Sequence, residues 1–243
     1  MTPEDAGKAA GPPEFDRHAH DYDRLVADAI AWTGAATDVL QRSKIEDARD
    51  VIRRIPPRDD GAVRVLDFGA GVGNAIPHWR ACCPDIALTC ADVSSASLAA
   101  ASRRFPDGAT FQSLPSTGPL PFEAASFDFA FAACVFHHIP AADQPRVLAE
   151  LHRVLRPGGA LMIYEHNPWN PVTRHIVRHC PFDEDAVLLR AGDMAQRMAA
   201  AGFRGMHARF RGVSPWQGRV ARRLELLVEG LPLGAQYFVV GSV

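Results

Sequence analysis

The sequence lacks three features that define large classes of protein: an excess of charge of one sign, a long apolar run and paired cysteine motifs. Its 243 residues contain 26 Lys and Arg against 28 Asp and Glu, a formal net charge of -2. Such a balanced chain has no long-range field to gather phosphates or an anionic membrane surface, so nucleic acid is not expected as a partner. No apolar run approaches the ~18 residues that cross a bilayer, so no membrane segment is predicted.

Cysteine is sparse, and none of it forms a Cys-x-x-Cys pair. The five cysteines are Cys82, Cys83, Cys90, Cys134 and Cys180. This odd, unpaired set argues against a disulfide framework or a ribbon-type zinc site, so reduced thiols are expected. His175, His179 and Cys180 are spaced to share one face of a helix, but no H-E-x-x-H motif accompanies them. We therefore predict no metal site.

The start of the chain, MTPEDAGKAAGPPEF, has no apolar stretch of the kind found in signal peptides, so a cytoplasmic location is expected. Residues 1–13 carry Gly, Pro and charge without periodicity and are predicted to be a disordered tail. No linker interrupts residues 14–243, so they are predicted to form a single domain, with a helical cap over 14–57 and an α/β core over 58–243.

Beyond the paired prolines at 56 and 57, short apolar runs alternate with amphipathic stretches, which predicts parallel strands joined by crossover helices. The predicted strands cover residues 63–68, 86–91, 110–112, 127–133, 160–165, 203–210 and 236–240. The predicted helices cover residues 74–81, 95–104 (with Ser94 as N-cap), 142–155, 191–201 and 216–229.

A segment rich in Pro and Asn, HNPWNPVTRHIVRHCPFDED, comes after the fifth predicted strand. It is predicted to be irregular, and its length and position make it a candidate lid over a pocket. Its Trp169, Arg174 and Arg178 are candidates to contact an aromatic or anionic substrate. The alternative is that the arginines are solvated and the tryptophan anchors the surface.

The strongest local signal is VRVLDFGAGVGN, an apolar strand that ends at Asp67 and leads into Gly69, Gly71 and Gly73 before a helix. Glycines at this spacing let the backbone turn sharply and approach a ligand, and the next helix offers free N–H groups to it. A dinucleotide fingerprint would carry a third glycine or an alanine where this chain has Asn74. The loop therefore indicates a nucleotide-like ligand without identifying it.

Asp92, in LTCADVS, lies nineteen residues past Gly73 at the predicted tip of the second strand. A carboxylate there can accept hydrogen bonds from both hydroxyls of a ribose, which selects an adenosyl group without a 2′-phosphate. The alternative is that Asp92 caps the helix that begins near Ser95.

Taken with these motifs, three further segments in order, LPFEAASFDFAFAACVFHHI, LHRVLRPGGALMIYEHNP and LPLGAQYFVVG, make the chain resemble the class I S-adenosylmethionine-dependent methyltransferases. Within that family it is similar to the small-molecule branch related to ubiquinone and menaquinone methyltransferases. The resemblance implies a Rossmann-like, doubly wound seven-stranded sheet, mostly parallel with an antiparallel last strand. It also implies S-adenosylmethionine as cofactor, S-adenosylhomocysteine as product, a small-molecule substrate and a monomer or homodimer.

Carried over position by position, the resemblance implies that Gly69 and Gly71 lie against the methionine part of the cofactor, with Asp67 supporting the loop. Asp92 would hold the ribose, and Val93 would pack on the adenine. The remaining positions assigned to the cofactor are Gly73, Ser113, Leu114, Ala133 and Tyr22. Ser113 departs from the acidic residue of many relatives, and the alternative for Tyr22 is an aromatic that packs helix on sheet.

The methyl group of a sulfonium is already activated, so the protein's main task is to place an acceptor in line and exclude water. Where the acceptor carries a proton, a base helps, and histidine titrates in the right range. His137 and His138 follow the fourth strand, and Glu165 and His166 close the fifth, so these four are the catalytic candidates. Packing and hydrogen bonding are the alternative role for each of them.

Two other activities remain open for this sequence. A nicotinamide-dependent oxidoreductase shares the strand, glycine turn and acidic residue, although Asn74 and the antiparallel last strand count against it. A protein that binds S-adenosylmethionine for regulation or for another reaction would share every cofactor motif. The acceptor atom is oxygen, nitrogen or carbon, and the expected acceptor is a compact, partly apolar metabolite of secondary or quinone-like biosynthesis.

Overall fold

A seven-stranded sheet with helices on both faces organises the computed structural model, which describes residues 37–58, 61–180, 186–212 and 229–243. The strands are Arg64–Phe68 (β1), Ala87–Asp92 (β2), Thr110–Ser113 (β3), Phe127–Ala133 (β4), Leu155–His166 (β5), Arg204–Arg211 (β6) and Gln236–Ser242 (β7). The helices are Thr37–Ile52 (α1), Ile76–Cys82 (α2), Ser95–Arg104 (α3), Gln144–Val154 (α4), Pro171–His179 (α5) and Ala191–Ala200 (α6), with a 3-10 turn at Phe136–His138. Within these ranges no helix has the length and apolar character to cross a bilayer.

The strand order is β3-β2-β1-β4-β5-β7-β6. Strands β1 to β5 run parallel, and β7 pairs antiparallel with both β5 and β6. The chain winds outward from β1 in one direction through β2 and β3, and then in the other through β4 and β5. This order confirms the predicted fold class and creates a switch point between β1 and β4, where open α/β sheets bind their ligands.

Most predicted elements lie within one or two residues of their observed bounds. Helix α3 has the predicted bounds. It also has the predicted cap, since the Ser94 side chain accepts a hydrogen bond from the Ser97 N–H at 3.1 Å. Strand β5 begins five residues earlier than the prediction, because Leu155 already pairs with Phe127 across an irregularity in β4. The predicted tail, the part of the predicted helical cap before residue 37, Tyr22 and nearly all of the predicted helix over 216–229 lie outside the described residues.

The prediction of an irregular segment after β5 was wrong over residues 171–179, which form helix α5. Asn170 caps this helix by accepting from the Thr173 N–H at 3.1 Å, and Pro171 occupies its first turn, where a missing N–H costs nothing. Asn167 and Thr173 tie the segment to the carbonyls of Gly234 and Ala235 before β7, both at 2.7 Å. Prolines and asparagines therefore start this helix instead of preventing it.

The sheet is buried on both faces. Val65 and Asp67 of β1 face α1 and α2, whereas Leu66 and Phe68 face α4 and α6, as the two-residue period of a strand requires. The side that holds α2 centres on Trp79, whose ring meets Phe129 and Phe131 edge to face.

A buried ionic network fixes helix α1 against the sheet. The Asp47 carboxylate accepts hydrogen bonds from the Tyr164 hydroxyl at 2.7 Å and from Arg211 at 2.9 and 3.1 Å. Arg211 also donates to Glu229 at 2.7 Å. Buried charges are costly unless they are paired, so this network fixes where α1 rests on β5 and β6.

Removing the Asp47 carboxylate should destabilise the fold strongly. Asp47→Ala takes away the acceptor of three buried hydrogen bonds, so we expect the free energy of unfolding in urea to fall by about 3 kcal/mol. Asp50→Ala, on the same helix, removes a partly exposed partner of Arg49 and should cost less than about 1 kcal/mol. Equal losses in the two variants would contradict a docking role for the network.

Candidate active site

A cavity of about 370 Å³ lies at the carboxyl ends of β1, β2 and β4, on the switch point of the sheet. Its size falls within the range of small-molecule sites. The wall is formed by Gln41, residues 67–72, Asn74, Ala75, Asp92, Val93, Ser97, Leu114, Phe131, residues 133–135, His138 and Ile139. Of the fourteen site residues predicted from the sequence, eight therefore share one wall: Asp67, Gly69, Gly71, Asp92, Val93, Leu114, Ala133 and His138.

The three loop glycines all have positive φ angles, but their surroundings differ. A Cβ on Gly69 would lie 2.4 Å from Val135, and one on Gly73 would lie 2.9 Å from Ala101 and Ile76, so these two permit close packing. A Cβ on Gly71 would meet no atom within 4 Å. The loop thus presents bare backbone to the cavity at Gly71, whereas Gly73 faces helix α3 and does not line the wall.

Asp92 joins the glycine loop to the next helix. Its Oδ2 accepts the Gly71 N–H and its Oδ1 accepts the Ser94 N–H, both at 2.8 Å. Ser94, and not Asp92, caps α3, so the alternative of a direct helix cap does not describe this carboxylate. Asp92 also lines the cavity, so its carboxylate borders the space above the loop.

Asp67 lies beneath the loop, where its Oδ2 accepts the indole N–H of Trp79 at 3.0 Å. Burial raises the pKa of this carboxyl to about 7; the Trp79 hydrogen bond opposes the change, and the charge of Asp92 adds to it. The carboxyl therefore changes charge close to neutral pH in the folded chain.

The end of β3 contributes Leu114, which is buried and lines the cavity, whereas Ser113 lies off the wall. Leu114 is held there by its N–H, which donates to the Asp92 carbonyl at 2.8 Å. Val93 is two-fifths exposed at the same end. Apolar side chains thus flank the space beyond Asp92.

Of the four catalytic candidates, only His138 lines the cavity. Glu165 is buried beneath the turn that follows β4, where its carboxylate accepts the N–H groups of Val135 (3.1 Å) and Phe136 (2.7 Å) and contacts the His137 ring nitrogen at 2.5 Å. Burial alone raises the pKa of Glu165, but the charge and hydrogen bond of His137 outweigh it and hold the pKa below its usual value. Glu165 and His137 thus form the buried support of the turn.

His166 lies behind this support, with its ring 5.2 Å from that of His137, and it does not line the cavity. None of residues 167–180 lines the cavity either, so a lid role for that segment stays a prediction. Trp169 is 63% exposed and stacks under Arg190, with 5.0 Å between guanidinium and ring. Among the described residues, no group of three His, Cys, Asp or Glu side chains is arranged to hold a metal ion.

Gln41 and Cys134 are two wall residues that were not assigned to the site from the sequence. Gln41 comes from α1, and Cys134 follows β4 with a left-handed backbone, φ 59°. No local motif marks either residue. For Cys134 the signal was its place directly after a strand that ends at the switch point.

The pKa of Asp67 predicts a pH-dependent effect of Asp67→Asn on stability. A raised pKa means that the folded chain holds an extra proton between its ordinary value of 3.8 and about 7, so wild-type stability falls as the pH rises through that window. Asparagine carries no charge, so the unfolding free energy of the variant relative to wild type should rise by about 2 kcal/mol between pH 5 and pH 8. Urea titrations at both values measure it, with the exposed Asp107→Asn as the control. A difference that stays constant would show that Asp67 is ionised throughout.

Comparison with known proteins agrees with this geometry. A family profile described as "Methyltransferase domain" matches residues 66–163, the stretch that runs from within β1 to within β5 and holds most of the cavity wall. A solved structure from Thermotoga maritima, described as a SAM-dependent methyltransferase and possible histamine N-methyltransferase, superimposes with a TM-score of 0.66 at 18% identity. The superposition covers 94% of this chain and 97% of that one, so the whole fold is shared.

Two curated relatives share more sequence. A trans-aconitate 2-methyltransferase from Azoarcus sp. is 32% identical over 64% of this chain and 59% of its own length. A demethylmenaquinone methyltransferase from Thermotoga maritima is 32% identical over 64% of this chain and 61% of its own length. The chain thus matches about three fifths of each relative. Together with the shared fold, these matches bear out the resemblance seen in the sequence: residues 66–163 match a methyltransferase domain, and the chain shares its fold with S-adenosylmethionine-dependent methyltransferases.

Proposed function

We propose that the chain transfers a methyl group from S-adenosylmethionine to a small-molecule acceptor. The observation that carries the proposal is the bare backbone at Gly71 beside the Asp92 carboxylate, both on the wall of one cavity at the switch point. Bare backbone allows close approach, and the carboxylate offers acceptors to a ribose.

The residues on the wall fit the parts of this cofactor in order. Asp92 would hold the ribose hydroxyls, with Val93 and Leu114 flanking the adenine. Gly69, Gly71 and Ala133 would lie along the methionine part, and Asp67 supports the loop from below. Gly73 and Ser113 would act through the backbone around them, because neither lines the cavity. A contact from Tyr22 belongs to the same proposal, although that residue lies outside the described ranges.

The bound cofactor would supply a methyl group on a cationic sulfur, which needs no nucleophilic residue. The chain's own residues then orient the acceptor and keep water out. His138 lines the cavity and is the histidine suited to contact the acceptor directly. His137 and Glu165 would act through the turn that they support, and His166 would act from behind it.

The acceptor is proposed to be compact and partly apolar. Val135, Ile139 and Phe131 line the same end of the cavity as His138 and offer no charged groups to a polymer. The two curated relatives are named for a carboxylic acid and for a quinone precursor, so they support a small molecule without selecting oxygen, nitrogen or carbon as the acceptor atom. A secondary-metabolite or quinone-like compound fits this wall.

Calorimetry with S-adenosylhomocysteine tests the cofactor site. Wild type should bind it, and Asp92→Ala should bind about 10- to 100-fold more weakly, because charge-assisted hydrogen bonds to two hydroxyls are lost. Asp85→Asn changes an exposed aspartate just before the other end of β2 and should leave the affinity unchanged. Tight binding of a nicotinamide dinucleotide with no heat from S-adenosylhomocysteine would reverse the assignment.

Turnover tests the histidines separately from binding. Release of S-adenosylhomocysteine is measured with a panel of hydroxyl, amine and carbon acceptors. His138→Ala should lower the rate about 100-fold while calorimetry shows the same affinity for S-adenosylhomocysteine, because a group that contacts the acceptor is lost. His166→Ala should change the rate less. Binding of the cofactor without turnover of any acceptor would favour a regulatory protein or another reaction of the same cofactor.

A further inference from the structure

A group of polar side chains surrounds the sulfur of Cys134 on the cavity wall. The Lys44 ammonium of α1 lies 3.6 Å from Sγ, and the Gln236 amide of β7 donates to Sγ at 3.4 Å. His166 of β5 also acts on this thiol and lowers its pKa. We call these four residues the Cys134 cluster. Each comes from a different element, and only Cys134 reaches the cavity.

Lys44 is the unusual member, because a lysine at 6% exposure has lost most of its water. In the part of the chain that the structure describes, Cys134 Sγ is the single hydrogen-bond acceptor for its ammonium group. The Tyr164 ring lies 5.7 Å away and adds a weaker cation–π contact. A buried ammonium is costly without an anion nearby, and a thiolate at Cys134 supplies that anion.

The charges around Cys134 favour the thiolate. Burial raises the pKa of the thiol, but the charge of Lys44 and the charge and hydrogen bond of His166 outweigh burial and lower the pKa to about 7; Glu165 opposes them. Tyr237 of β7 stays neutral there, because burial raises the pKa of its hydroxyl far above the usual value. A thiol that titrates near neutral pH is well suited to exchange a proton during turnover.

The position of Cys134 matches the acceptor end of the cavity. Asp92 and Cys134 follow strands β2 and β4, which lie on either side of β1, so about 10 Å separates the two strand ends. The left-handed backbone at Cys134 is costly for a side chain with a Cβ, and such conformations concentrate at functional sites. Its N–H donates to the Tyr164 carbonyl at 2.8 Å, which holds the turn in place.

We propose that the Cys134 thiolate, held by Lys44 and Gln236, accepts the proton of a weakly acidic hydroxyl acceptor, a phenol or an enol. The inference rests on the proposed methyl transfer. The acceptor oxygen gives its proton to the thiolate and forms a bond to the methyl carbon, while the carbon–sulfur bond of the sulfonium breaks and its electron pair stays on sulfur. The products are the methyl ether, S-adenosylhomocysteine and the Cys134 thiol, which returns its proton to water.

Phenols of graded acidity test the proton transfer. With S-adenosylmethionine and phenols that titrate near pH 10, Cys134→Ser should release S-adenosylhomocysteine at least about 100-fold more slowly than wild type at pH 7.5. With nitrophenols already ionised at that pH, the loss should shrink to a few-fold, because no proton has to be removed. Cys82→Ser, in α2 and off the wall, is the matched control, and affinity for S-adenosylhomocysteine should be equal in all three proteins.

The ion pair between Lys44 and the Cys134 thiolate can be tested without a methyl acceptor. Iodoacetamide forms a sulfur–carbon bond with a thiolate and expels iodide, so the rate of labelling at the Cys134 peptide, followed by mass spectrometry, reports ionisation across pH 5 to 9. Wild type should show a midpoint near 7. Lys44→Met should move it upward by about one pH unit or more, together with the acidic limb of the pH–rate profile for a phenol.

Four results would overturn the proposal. One is an equal loss in Cys134→Ser for neutral and ionised phenols, and another is a Lys44→Met midpoint that matches wild type. The third is a methyl group on Cys134 itself after incubation with S-adenosylmethionine, which would make the sulfur a methyl acceptor. Turnover of amines alone would also reject it while methyl transfer stands, whereas a wild type that releases no S-adenosylhomocysteine with any acceptor contradicts the proposed function itself.

Discussion

One buried carboxylate, that of Glu165, holds the turn on which the cavity depends. It binds two consecutive backbone N–H groups and the His137 ring from below, so the chain after β4 cannot relax toward solvent. This turn sets Val135 against Gly69, where a single extra carbon would collide, and it carries His138 onto the wall. The shape of the glycine loop and that of the β4 turn are therefore set by the same support.

The two ends of the cavity differ in charge. Asp67 and Asp92 lie at the β1 and β2 end, where backbone N–H and indole groups hold the two carboxylates in place. Lys44 lies behind the β4 end, with Cys134 between it and the cavity. A cation bound between the two ends would have two acidic side chains on one side and the Cys134 sulfur on the other. Such an arrangement suits a sulfonium compound, whose charge disappears when the methyl group leaves.

The sequence predicted best those features that adjacent residues encode. The order of strands, the glycine loop and the cap at Ser94 each depend on a few neighbouring positions, and the structure agrees with all three. Helix α5 was missed because prolines and asparagines are common both in loops and in the first turn of a helix. The Cys134 cluster could not be predicted for a different reason. Lys44 and Gln236 are separated from Cys134 by 90 and 102 residues along the chain. Contacts of this kind are determined by packing, which a linear pattern does not contain.

The docking of α1 has a consequence for how the enzyme matures. Asp47 and Arg211 are separated by 164 residues, so a nascent chain exposes the aspartate long before its guanidinium partner has been synthesised. Helix α1 carries Gln41 to the cavity wall and Lys44 to Cys134, and its final position depends on β6. The glycine loop and its neighbouring strands can form earlier from local contacts. The contacts that fix α1 against the sheet therefore form last, after translation has passed β6.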